Sequence, residues 1–95
     1  MRLLIVGTGG HSKIVADIAL DQGFKEIFFL DINKKKKKKF FGENILGLNK
    51  IYYGFNNIKK INNIKNAFVA IGDNMLRETY YLKLNRLKYK IITLV

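Results

Sequence analysis

The chain has 95 residues, of which 48% are hydrophobic, and it carries a formal net charge of +11. This length allows one small domain with one core and excludes a two-domain enzyme with a cleft between its domains. The lack of Cys excludes a disulfide framework and a thiolate metal site. No apolar run reaches the roughly 18 residues of a membrane span or the roughly 7 of a signal-peptide core, so we expect a cytoplasmic protein without a membrane span.

Six of the lysines form a single run, Lys34 to Lys39, and without this run the net charge is +5. We favour a solvated loop insertion as the interpretation of the run. Two alternatives stay open: a patch for RNA or anionic lipid, and a charge that steers an anionic substrate. No aromatic-interleaved RNA-binding module accompanies the run, so the basic composition by itself predicts no specific nucleic-acid partner.

The first elements along the chain are a strand, a turn and a helix. Residues 2–6 form a β-branched apolar run, which predicts a strand buried on both faces, as in parallel sheets. The turn Gly7-Thr8-Gly9-Gly10 follows, and residues 12–22 are predicted to form a helix that ends at Gly23. The apolar face predicted for this helix comprises Ile14, Val15, Ile18 and Ala19.

The middle of the chain is less regular. A second buried strand is predicted over residues 27–30, and residues 34–50 show no periodicity and are predicted to form a loop. A short strand at 51–53 comes next. Isoleucines recur every three residues from 58 to 64, which predicts a short amphipathic helix.

The last third of the chain is predicted to hold two strands with a helix between them. The strands are the apolar runs 67–71 and 91–95. The helix covers residues 73–87 and is the best defined of the chain, because its apolar residues recur at helical spacing. Its predicted stripe comprises Leu76, Tyr80, Leu84 and Leu87.

Strands and helices alternate along the chain, which is typical of an α/β fold with a parallel sheet and right-handed crossovers. We therefore predict one half-size Rossmann-like domain over residues 1–95, with about five strands in the order 3-2-1-4-5 and helices on its faces. In such doubly wound sheets, ligands bind beyond the strand carboxyl ends where the strand order reverses. The loops after Val6 and Ile71 are therefore predicted to line a site.

The loop from Gly7 to Ser12 is the first candidate for ligand binding. Glycine lets a loop turn sharply and lets a ligand approach its backbone. The helix N-terminus that follows offers free N–H groups and the positive end of a dipole, for which phosphate is a natural occupant. A dinucleotide fingerprint, G-x-G-x-x-G, would require a third Gly at Ser12, so NAD binding is disfavoured but stays open. A tight turn without a ligand is the alternative explanation.

Polar residues near this loop are the other candidates. His11 is the single His and has no positioned carboxylate, so we expect it to contact a ligand and not to act in catalysis; a residue at the helix start without a special role is the alternative. Asp31 follows the second strand, where it either accepts a hydrogen bond from a ribose or base or is a solvated strand end. Asp73 or Asn74 can cap the last helix. Arg77, one turn further, either contacts phosphate or holds the capping Asp.

Three segments together resemble one family: LLIVGTGGHSKIVADIALDQG at 3–23, IFFLD at 27–31 and FVAIGDNMLRETYYLKL at 68–84. The chain resembles the N-terminal domain of bacterial sugar acyltransferases of the left-handed β-helix superfamily. The best-known members acetylate UDP-linked 4-amino sugars or sialic acids. The resemblance is carried by G-x-G-G-H together with A-I-G-D-N-x-x-R, and it extends over nearly the whole chain except residues 34–50.

The resemblance implies a domain that binds a UDP-linked sugar. The residues that it places against this ligand are Gly7, Gly9, Gly10, His11, Ser12, Asp31, Gly72, Asn74 and Arg77. It also implies that acetyl-CoA and the catalytic His belong to a C-terminal β-helix of hexapeptide repeats, which makes the homotrimer. These 95 residues contain neither such repeats nor a second His, so we expect this chain alone to have no cofactor, no catalytic residue and no transferase chemistry.

Two hypotheses of other classes compete with the binding of a nucleotide-linked sugar. The first is a dinucleotide-binding module, which predicts tighter binding of NAD than of UDP. The second is a basic, non-enzymatic protein that binds RNA or lipid through Lys34 to Lys39, with an affinity that falls steeply with salt.

Overall fold

A computed structural model of the chain describes residues 2–7, 9–32, 49–61 and 63–93. Five strands form one sheet. They are β1 (Arg2–Val6), β2 (Glu26–Asp31), β3 (Asn49–Tyr53), β4 (Asn66–Val69) and β5 (Lys90–Ile91). The described residues also form α1 (Gly10–Asp21), a 3₁₀ helix (Phe55–Lys60) and α2 (Asn74–Arg86). The lysine run and most of the predicted loop 34–50 lie outside the described residues.

The strand order is β3-β2-β1-β4-β5, and every neighbouring pair is parallel. This confirms the predicted α/β architecture, including the strand order 3-2-1-4-5. The order reverses beside β1, where Val6 is in register with Leu30 of β2 on one side and with Val69 of β4 on the other. The carboxyl ends of these three strands therefore meet at one edge of the sheet.

The sheet carries one apolar cluster on each face, because successive side chains of a strand point to opposite sides. Leu3 and Ile5 of β1 belong to the cluster that α1 covers, and Leu4 and Val6 belong to the cluster beneath α2 and the 3₁₀ helix. All four side chains are fully buried. Burial on both faces explains why β1 is a continuous apolar run and not an alternating one.

Helix α1 packs on the sheet through a face of small residues. Val15 and Ala19 of the predicted face are buried, but Ile14 is 57% exposed. Ser12 and Ala16 complete the packed face, and both are 0% exposed. Prediction from apolar residues alone missed Ser12 and Ala16, since close approach of a helix to a sheet favours small side chains over large ones. Gly23 ends the helix region at a φ of +100°, a conformation that glycine adopts without strain.

Helix α2 buries only part of its predicted stripe. Tyr80 and Leu84 are buried, whereas Leu76 and Leu87 are 41% and 48% exposed. A helix of 13 residues is about 20 Å long, but the four-residue strand β4 beneath it spans only about 13 Å. The two ends of the stripe therefore extend past the sheet. Neither this helix nor any other in the described part of the chain is long and apolar enough to cross a membrane.

Several predicted boundaries differ from the observed ones. The helix predicted over 58–64 is a 3₁₀ helix that ends at Lys60, and Ile61 is already extended. Ile58 lies in the 3₁₀ helix and Ile61 and Ile64 follow it, yet all three side chains are buried in the core beneath α2. Strand β4 ends at Val69 and not at residue 71, and β3 begins at Asn49, inside the predicted loop. The described part of the last strand is Lys90–Ile91, and residues 94–95 lie outside the described residues.

Candidate ligand site at the carboxyl edge of the sheet

The loop after β1 holds the ends of three strands together. The N–H of Gly7 donates to the Leu30 carbonyl at 2.8 Å, and the N–H of Ala70 donates to the Val6 carbonyl at 2.8 Å. The loops that follow β1 and β4 therefore touch at Gly7 and Ala70. This junction forms the base of the predicted site.

Gly7 is required by the fold itself. Its φ is +123°, and a Cβ added there would lie 2.5 Å from the backbone oxygen of Ala70. Real Cβ atoms do not come so close to a carbonyl oxygen, and this φ is strained for any other residue. The tight-turn explanation is therefore sufficient for Gly7 without any ligand.

Gly9, Gly10 and Gly72 differ from Gly7, because nothing within the described structure requires glycine at these positions. A Cβ added at any of the three meets no described atom within 4 Å, and none of the three has a left-handed φ. Gly9 has extended backbone angles, with φ −76° and ψ −178°. Their backbone faces open space, which is the surface that a closely approaching ligand would use.

No side chain among the described residues caps the N-terminus of α1. Its N-cap residue is Gly9, and the first turn contains no acidic residue. The corresponding end of α2 is occupied, since the Asp73 carboxylate accepts a hydrogen bond from the Leu76 N–H at 2.9 Å. The positive end of α1 is therefore available to an external anion, whereas that of α2 is already compensated by Asp73.

The Ser12 side chain points into the protein and not toward the open side of the loop. It is 0% exposed, and its hydroxyl donates to the Gly9 carbonyl at 2.5 Å. Ser12 occupies the third position of the G-x-G-x-x-G pattern, where a small residue allows close packing of helix and strand. Any contact of Ser12 with a ligand is consequently limited to its backbone.

Asn74 and Arg77 form a pair on the first turn of α2. The Arg77 guanidinium donates to the Asn74 side-chain oxygen at 2.5 Å. Because a guanidinium has only donors, the amide oxygen must face Arg77, and the amide NH₂ group points elsewhere. The sequence predicts that Arg77 contacts either a phosphate or the capping Asp73. In the structure its side chain contacts Asn74, the neighbour of Asp73. The pair offers N–H donors, which suit ligand oxygens.

The carboxyl end of β3 adds residues that sequence analysis did not assign to the site. Asp31 ends β2 in register with Tyr53, and the Gly54 N–H donates to the Asp31 carbonyl at 2.8 Å. Gly54 is buried with φ +84°, and the Asn57 side chain donates to the Tyr53 carbonyl. The Gly directly after the strand predicted at 51–53 indicates this turn in the sequence, but no local pattern assigns the turn to the site.

His11 lies exposed on the first turn of α1, beside the open glycines. In the part of the chain that the structure describes, no carboxylate forms a hydrogen bond or ion pair with its imidazole. Burial raises the pKa of the Tyr80 and Tyr89 hydroxyls, but both belong to the core beneath α2 and not to this edge. The residues assembled at the edge are therefore suited to binding.

Removing the α2 cap tests the role of Asp73. We expect Asp73→Ala to lower the free energy of unfolding by about 1 kcal/mol, because the Leu76 N–H loses its partner. Asp73→Asn should retain most of the stability, since an Asn side chain also caps. Urea denaturation of the three proteins measures the difference. Equal stability of the wild type and Asp73→Ala would show that the cap contributes nothing.

The chain is similar to a known protein family and to a solved structure. The family model of the PglD N-terminal domain matches residues 2–84 of the chain. Among solved structures, the chain is similar to the GDP-perosamine N-acetyltransferase of Caulobacter crescentus, crystallised as a histidine-to-alanine mutant with CoA and GDP-perosamine. The TM-score is 0.76 at 21% sequence identity. The similarity covers 100% of this chain but 42% of that protein, so the chain spans less than half of its length.

Proposed function

Since this chain belongs to the family of PglD N-terminal domains, we propose that it binds a nucleotide-linked sugar as the substrate-binding part of a sugar N- or O-acetyltransferase. The observation that carries the proposal is the open glycine backbone at Gly9, Gly10 and Gly72, beside the uncapped N-terminus of α1. Glycine at positions where the fold would accept a side chain is expected when a ligand needs that space.

The diphosphate is the part of the ligand that this edge is suited to hold. On the first turn of α1, the Ser12 N–H is bonded to the Gly9 carbonyl, whereas the N–H groups of Gly10 and His11 precede any intrahelical acceptor, and the dipole favours negative charge there. His11 is placed beside them, and the Asn74–Arg77 pair adds N–H donors from the α2 side. Each member of this set can donate a hydrogen bond, which matches the acceptor oxygens of a pyrophosphate.

We assign the nucleoside to the side of the edge formed by β2 and β3. Asp31 is half-exposed at the end of β2, and the turn at Gly54 lies next to it through the backbone hydrogen bond. A carboxylate at this point suits the hydroxyls of a ribose or an N–H of a base. Uridine follows from the resemblance, whereas the similar structure holds a GDP-linked sugar, so both bases belong in the test.

Acetyl transfer is assigned to a separate part of the enzyme. The similar N-acetyltransferase extends well beyond the region that matches this chain, and its crystals contain CoA as well as the nucleotide sugar. We propose that acetyl-CoA binds outside these 95 residues and that a trimer forms only where a β-helix part is present. In this chain, the exposed His11 contacts the ligand and transfers no proton.

Titration calorimetry with UDP, GDP and NAD tests the proposal. We expect one site, with UDP or GDP bound more tightly than NAD. A folded sample that binds neither UDP nor GDP would refute the proposed function. Tighter binding of NAD would instead support the dinucleotide-binding module.

The net charge of +11 makes a control for unspecific anion binding necessary. A variant with Lys34 to Lys39 replaced by Ser removes six charges without changing any residue of the proposed site. We expect it to bind the preferred nucleotide with similar affinity, because none of the replaced lysines is among the proposed contacts. Loss of binding in this variant would favour the basic interaction protein.

A further inference from the structure

Among the described residues, Ser12 is the one polar or charged residue that is buried, and its exposure is 0%. Its neighbours on the packed face of α1 include Ala16 and Ala19, which are equally buried and have no polar atom in the side chain. Packing alone would accept Ala at position 12 as well, because Ala is smaller than Ser and fits the same close approach. The hydroxyl of Ser12 is therefore the part of the residue whose role packing leaves unexplained.

Both hydrogen-bond donors of Ser12 converge on one acceptor, the carbonyl oxygen of Gly9. The hydroxyl donates at 2.5 Å and the backbone N–H at 3.0 Å. Gly9 itself has no side chain that could restrain its rotation. The peptide plane between Gly9 and Gly10 is consequently held from one side by two bonds from the same residue.

The orientation of that carbonyl determines where the N–H of Gly10 points. In a planar trans peptide, the C=O and the N–H point in opposite directions. The Gly9 carbonyl points into the helix toward Ser12, so the Gly10 N–H points outward, away from the first turn. As the first N–H of α1, it has no intrahelical acceptor, and Gly9 and Gly10 are both exposed.

We propose that Ser12 is a positioning residue, whose hydroxyl holds the Gly9–Gly10 peptide plane so that the Gly10 N–H faces the diphosphate oxygens of the ligand. The inference rests on the proposed function. It changes the role that the resemblance assigned to Ser12: the side chain acts on the ligand through Gly9 and Gly10 and does not touch it. Ser12→Ala keeps the packing and removes only the second bond to the Gly9 carbonyl.

The test compares Ser12→Ala with the wild type and with Ala16→Gly. Ala16→Gly is the matched control, because it weakens the same helix at a buried position without touching the Gly9 carbonyl. We expect Ser12→Ala to weaken UDP or GDP binding about fivefold, the effect of one lost hydrogen bond. The NMR order parameter of the Gly10 amide should fall in Ser12→Ala, and both readouts should stay at wild-type values in Ala16→Gly.

The outcomes separate this inference from the function on which it rests. If the folded wild type binds neither nucleotide, the proposed function fails and the inference fails with it. If the wild type binds and Ser12→Ala binds equally well, the proposed function stands and the positioning role is wrong. The positioning role is also wrong if Ala16→Gly loses as much affinity as Ser12→Ala, since the loss then follows helix stability.

Discussion

Gly7→Ala is expected to lower the free energy of unfolding by about 3 kcal/mol. Two costs combine. The φ of +123° is strained for alanine, and the new Cβ would lie 2.5 Å from the backbone oxygen of Ala70. Neither the Gly7 loop nor Ala70 can move away freely, because each is bonded to the end of a neighbouring strand. Urea denaturation followed by circular dichroism measures the loss.

Gly10→Ala is the matched control for this prediction. The chemical change is identical, but the added methyl group enters open space on the first turn of α1. Alanine favours helix over glycine, so we expect stability to stay the same or to rise by up to about 1 kcal/mol. Equal unfolding midpoints for Gly7→Ala and Gly10→Ala would contradict the junction between the loops after β1 and β4.

Gly9→Val is expected to abolish most nucleotide binding while the domain stays folded. The side chain occupies the space that the proposed ligand needs, and it separates the diphosphate from the first-turn N–H groups of α1. Loss of one or two charge-assisted hydrogen bonds corresponds to about 100-fold weaker binding, or about 2.7 kcal/mol. Calorimetry with UDP and GDP measures the affinity.

Stability and a distant substitution provide the controls for Gly9→Val. The extended backbone of Gly9 is compatible with valine, so the cost in stability should be about 1 kcal/mol, the difference between a good and a poor N-cap. Asp21→Val places the same side chain on the exposed last turn of α1 and should leave the affinity unchanged. Wild-type affinity in Gly9→Val would show that the ligand does not approach this glycine.

Much of the fold was predictable because its signals are local. The run from Arg2 to Val6 and the run before Asp31 are apolar and rich in β-branched or aromatic residues, which is typical of strands buried on both faces. The periodicity of residues 73–87 predicted α2 to within one residue at each end. Alternation of these elements, together with the topology of doubly wound sheets, led to the correct strand order.

Helix faces were predictable only in part. Hydrophobic periodicity favoured Ile14 over Ala16 on α1, although the structure exposes the first and buries the second. Side-chain volume and the distance between a helix and its sheet decide this choice. Similarly, Leu76 and Leu87 follow the helical period but extend past the short strand beneath α2. The length of the underlying sheet cannot be deduced from the helix sequence.

By itself, the sequence determined the class of fold, the order of the strands and the position of a glycine-rich loop at their carboxyl edge. These features depend on residues close together in the chain, so composition and spacing reveal them. Only the tertiary structure separated Gly7, which the fold requires, from Gly9 and Gly10, which it leaves open. The contact of Gly7 with Ala70 joins residues far apart in the sequence, and no local pattern records it. The burial of Ser12 also depends on the tertiary structure, because it lies on the face of α1 that packs against the sheet, and its hydroxyl bonds to Gly9 and does not face a ligand.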